Sequence, residues 1–149
     1  MATEKNHGTP AAALRVLADQ LRAEGTPISP HVTDPAEPPR LGELVASGPG
    51  AAAAPAEYAL VIEAVREGYL LHYEEPRLLA GHDPDLALLA GDHLYALALD
   101  RLAALEDTRA VTILSDLISE CARLQAEGDI GKISELWREA ANQIAAGSG

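Results

Sequence analysis

Proline placement sets the first limit on what this chain can fold into. Seven of its ten prolines fall between positions 26 and 56: Pro27, Pro30, Pro35, Pro38, Pro39, Pro49 and Pro55. Each lacks a backbone N–H and disfavours helix in the residue before it, so no continuous helix can cross this stretch. At most, residues 40–47 (RLGELVAS) make a short helix there. The chain therefore divides into an N-terminal helix within 1–25, a proline-rich linker over 26–56, a helical domain over 57–146 and a flexible end at 147–149. The linker reads as an irregular arm open to proteases.

Outside that stretch the apolar residues recur at helical spacing. Thr9-Pro10 opens the first helix, Leu14, Leu17 and Leu21 line one face, and Gly25 stops it. Tyr58, Val61, Ile62, Val65, Tyr69 and His72 form the next pattern, which Pro76 closes. Gly68 inside it costs about 1 kcal/mol relative to Ala, which points to close contact with another helix. Asp83-Pro84 supplies an N-cap and a first-turn proline for a helix to about Glu106. Leucines surround that helix on nearly every side, so it reads as the central helix or one covered by a second subunit. Asp107 or Thr108 caps the next, which Gly128 ends, and Asp129 caps a last one carrying Ile133, Trp137 and Ile144. The chain has no Phe and only four Tyr, so the core is aliphatic, and no strand pattern appears. The fold class is all-α, a helical bundle with a proline-rich N-terminal arm.

Charge narrows the partners. Eleven Lys and Arg against 23 Asp and Glu give a formal net charge of −12. Such a chain repels phosphate backbones and anionic lipid, which argues against nucleic acid and membrane surfaces. No apolar run reaches the ~20 residues of a membrane span, and the N-terminus lacks signal-peptide character. A lone cysteine, Cys121, excludes an intramolecular disulfide and fits a reducing, cytoplasmic setting. It lies on an apolar stripe, the place of a structural rather than a nucleophilic cysteine. His72, His82 and His93 each neighbour carboxylates, but their spacing does not compel a shared metal, so neither metal nor cofactor is assigned. A His/carboxylate metal-dependent enzyme is the third choice of function.

Two blocks carry a family likeness. VIEAVREGYLLHYEEP (61–76) places Glu63 nine residues before His72, and LALLAGDHLYALALDRLAAL (86–105) contains Gly91-Asp92 and Leu94. In this order, with CARLQAEGDI (121–130) following, they resemble part of the trans-polyprenyl diphosphate synthases, the all-α family that makes isoprenoid chains. The resemblance implies part of the isoprenoid synthase fold. It also implies a lost activity. The family's metal-binding aspartates follow the histidine, where this chain has Tyr73, Glu74, Glu75 and Pro76. Tyrosine cannot replace a carboxylate on Mg²⁺.

The leading expectation is thus a non-catalytic protein acting through protein–protein association, an accessory or regulatory subunit related to these synthases. It would be a homo-oligomer or bind a different protein, with Leu88, Tyr95, Leu99 and Leu102 as the contact row. The alternative is a module binding an apolar, isoprenoid-like small molecule, with Tyr69, His72 and His93 as its polar groups.

Overall fold

The computed structural model describes residues 8–148, so expectations for residues 1–7 and Gly149 lie outside it. Six α-helices follow one another: α1 (Ala13–Ala23), α2 (Arg40–Ala46), α3 (Pro55–Tyr73), α4 (Pro84–Ala104), α5 (Thr108–Glu127) and α6 (Ile133–Ala146). Single 3₁₀ turns lead into α1, α3 and α6, and another crosses Ser29–His31. There is no strand among the described residues beyond an isolated bridge between Val32 and Leu79. The protein is an all-α bundle. None of its described helices is long and apolar enough to cross a membrane.

Local chemistry fixes the helix ends. Asp83 Oδ1 accepts the Leu86 N–H at 2.7 Å, and Asp107 Oδ1 accepts the Ala110 N–H at 2.9 Å, each satisfying a first-turn donor. Pro84 and Pro55 occupy first-turn positions where no N–H is needed. α5 stops at Gly128 in the left-handed region, φ 76°, and Asp129 N–H closes on the Leu124 carbonyl at 2.9 Å. Thr9 precedes the first turn without a side-chain cap bond.

The central helix is α3, not α4. Every α3 residue from Tyr58 to Leu71 is buried except Arg66, and α3 packs against α4, α2 and α1. α4 buries only one face, Ala87, Ala90, Gly91, Leu94, Ala98 and Leu102, and leaves Leu88 and Leu89 each 54% exposed. The leucines around α4 suggested the reverse, but α3 is buried almost all round, with Glu63 and Glu67 included in its buried surface. Both are buried, at 1% and 0% exposure.

The proline-rich stretch is packed rather than loose. Ile28, Val45 and Ala51 are at most 3% exposed, and α2 lies against both α3 and α6. Thr33 N–H donates to the Leu78 carbonyl at 2.7 Å and Ala80 N–H to the His31 carbonyl at 3.0 Å, so the arm clasps the α3–α4 connection. The backbone at Gly48 and Gly50 runs directly over Ala145 and Ile144 of α6. Gly147 is seated against Gly50, so the chain is still in contact there. Prolines forbid helix here, but each short element between them still buries one or two apolar side chains.

Candidate functional site

Tyr69, His72 and His93 do not share a cavity. Tyr69 is 1% exposed; its hydroxyl donates to Glu74 Oε2 at 2.7 Å and accepts from Gln125 Nε2 at 3.0 Å. Burial, then the bond to Glu74, pushes its pKa up to about 12. His72 turns the other way, onto α4. Its Nε2 lies 3.2 Å from the Leu88 carbonyl and 3.2 Å from Asp92 Oδ1, so that nitrogen carries the proton. The ring meets Tyr95 edge-on, centroids 5.1 Å apart. His93 faces α1, with Nε2 2.9 Å from Glu24 Oε1. Each residue joins neighbouring elements. Among the described residues no three His, Cys, Asp or Glu converge as metal ligands.

The α3–α4 crossing explains Gly68. A Cβ there would lie 2.7 Å from Tyr95 Cδ1 and 3.0 Å from the Gly91 carbonyl. A Cβ on Gly91 would strike the His72 ring and come 3.0 Å from the Gly68 carbonyl. The two glycines let the backbones touch, and the crossing has no room for an apolar ligand beside His72.

The α4 contact row is divided by the fold. Leu88 is exposed, Tyr95 and Leu99 are half-buried against the core, and Leu102 is fully buried. Leu102 is therefore core and not surface. The outward arc instead holds Leu88, Leu89 and Ala96 among Asp85, Asp92 and Asp100, all exposed. Tyr73, 40% exposed, stands beside His72, whose other side touches Leu88. Arg101, the one cation of α4, turns inward to Glu57 Oε1 at 3.0 Å and to Gln20.

A second arrangement lies under the connection after α3. Arg77 is inserted between the two buried carboxylates of α3. Its Nε donates to Glu67 Oε1 at 2.9 Å and its NH1 to Glu63 Oε1 at 2.7 Å. Glu67 Oε2 accepts the N–H groups of Arg77 and Leu78 at 2.7 and 2.8 Å, and Glu63 Oε2 accepts the Gly42 N–H at 2.8 Å. Burial alone would lower the Arg77 pKa; the two carboxylates more than reverse this and hold it above its usual value. The cluster ties α2 and the post-α3 connection to the central helix.

Beside this network a recess of about 350 Å³ opens between α2, α3 and α6. Arg40, Arg66, Arg77 and Arg138 all line it, four of the eleven cationic side chains of the chain. Sequence reading missed Arg40, Arg66 and Arg138 because they come from three separate places along the chain. The available signal was the Glu63/Glu67 pair, two carboxylates one turn apart in the middle of a largely apolar helix. Cys121 is buried against α6 side chains and its thiol is pushed up to about 11 by burial, so it is a packing residue.

No family model, curated protein or solved structure matches the chain.

Proposed function

We propose that the chain is a non-catalytic accessory protein that docks a basic protein partner on the outward face of α4, and that it is a shortened relative of the polyprenyl diphosphate synthases. The observation carrying this reading is the character of that face. Leu88 and Leu89 stand 54% exposed and are rimmed by Asp85, Asp92 and Asp100, with the only α4 cation turned away. Large side chains so exposed gain about 25 cal/mol per Å² of apolar area when a partner covers them. Two copies of this face would set acid against acid, which disfavours self-association and selects a partner with Lys or Arg around an apolar contact. The relation to the synthases is supported by the order of the two sequence blocks alone.

The test combines sizing with site-specific cross-linking in the source organism. A photo-reactive residue replaces Leu89, and a control replaces Asn142, exposed on α6. The expected result is a monomer in isolation and an adduct from position 89 alone. That adduct should be to a basic protein and weaken as salt rises. If it is a catalytic polyprenyl diphosphate synthase subunit, adding the chain changes that subunit's rate or product length. A homodimer cross-linked through position 89, or equal adducts from both positions, overturns the reading.

A further inference from the structure

Ion pairing among the described residues is uneven. Arg22, Arg101, Arg123 and Lys132 each hold a carboxylate within 3.1 Å, and Arg77 holds two. Arg15, Arg40, Arg66, Arg109 and Arg138 hold none, although the chain has about twice as many acids as bases. Three of these five, Arg40, Arg66 and Arg138, open onto the recess of about 350 Å³ between α2, α3 and α6. Unneutralised cations in a chain of charge −12 are expected to scatter toward the surplus carboxylates. Here three of the five collect.

Arg66 shows what the recess preserves. Its guanidinium carbon sits 5.3 Å from the Tyr69 ring centroid and 5.1 Å from that of Trp137. The ring faces hold it by cation–π attraction. None of its N–H donors meets a protein acceptor among the described residues. Arg77 is fixed by Glu63 and Glu67, and Glu63 is saturated by Arg77 and the Gly42 N–H. The remaining acid at the rim, Glu37, is 58% exposed and 3.9 Å from Arg77 NH1. Counting Glu37, Glu63 and the Glu67 that pairs with Arg77 against the four arginines leaves the recess one charge positive. The rest of the lining includes apolar and aromatic side chains, Leu41, Leu44 and Trp137.

The geometry points to a binding site for an organic phosphate: a dianionic head on Arg66, Arg40 and Arg138, with an apolar or planar body against Trp137 and Leu44. Planar guanidinium groups match phosphate oxygens in pairs, which favours a dianion over a lone carboxylate. A volume of this size suits a small molecule rather than a polymer, and the acidic remainder of the surface repels nucleic acid. The inference stands independently of partner docking on α4, which uses a different surface.

Trp137 is the only tryptophan, so its emission reports on the recess directly. Phenyl phosphate, inorganic phosphate and benzoate are titrated into the full chain, followed by Trp137 emission and by calorimetry. Phenyl phosphate should saturate with Kd below about 1 mM, and each of the other two should bind at least about tenfold more weakly. Added salt should weaken binding. Arg138→Gln, at an exposed position that leaves the fold intact, should weaken phenyl phosphate about tenfold. Arg66→Gln should do so more strongly, with circular dichroism checking its fold. Arg109→Gln removes a cation outside the recess and should change nothing. The site is refuted by no saturable response up to about 10 mM phenyl phosphate, by equal affinity for benzoate, or by equal losses in Arg109→Gln and Arg138→Gln.

Discussion

Replacing Arg77 by Met keeps most of the apolar stem and removes the guanidinium. Glu63 and Glu67 then stay in place at 1% and 0% exposure with no cation beside them. Three backbone N–H bonds to their Oε2 atoms survive: those from Gly42, Arg77 and Leu78. The loss is therefore mainly counter-charge, not hydrogen-bond geometry. Removing one partner of a buried ion pair costs about 3–5 kcal/mol, because the remaining charge is left unneutralised in a poorly polarisable interior. For a domain of this length that lowers Tm by about 6–20 °C. A companion variant adds Glu63→Gln and Glu67→Gln to Arg77→Met. Its carboxamides still accept the three backbone bonds but need no cation, so it should recover a large part of the loss. Replacement by Met would not serve, because it would orphan the same three N–H groups. Urea unfolding followed by circular dichroism gives both free energies. An Arg77→Met variant within about 1 kcal/mol of the parent would refute the counter-charge argument. So would a triple variant no more stable than the single one.

Gly91→Ala drives a methyl group into the His72 ring and should cost about 1–3 kcal/mol in the same unfolding assay. Gly131→Ala, with nothing within 4 Å, should be neutral or stabilising by up to about 1 kcal/mol; equal losses at both sites would contradict the helix-crossing account. Burial, then Asp107, pushes Tyr58 to about 12, as burial and Glu74 do for Tyr69, and burial raises Tyr95 further. These raised values favour the protonated folded state, so their stability contribution is complete below the ordinary tyrosine value of 10.0 and fades as pH climbs through about 12. The urea midpoint should fall across that window, and a rise there would show the sign to be wrong. Limited proteolysis should find residues 40–55 as resistant as α3, since Val45 and Ala51 are fully buried; early cleavage there would mean the segment opens on its own.

Helix positions were legible from the sequence because their determinants are local. Asp83-Pro84, Asp107, Gly128 and the proline cluster each act within a few residues of themselves, through a cap bond, a missing N–H or a left-handed turn. The same local character let Gly68 announce a helix contact. The centre of the bundle was not legible. α3 becomes the core helix only because Arg77 neutralises Glu63 and Glu67 from 14 and 10 residues further on, beyond Pro76 and the end of the helix, where helical periodicity does not apply. Without that pairing the two carboxylates place α3 at the surface and leave leucine-rich α4 as the natural centre. The arginine recess was hidden for the same reason. Residue periodicity describes one helix at a time, whereas Arg40, Arg66, Arg77 and Arg138 meet only after α2, α3, the post-α3 connection and α6 have packed together. Charge compensation acts through space, and the chain must fold before it can be read.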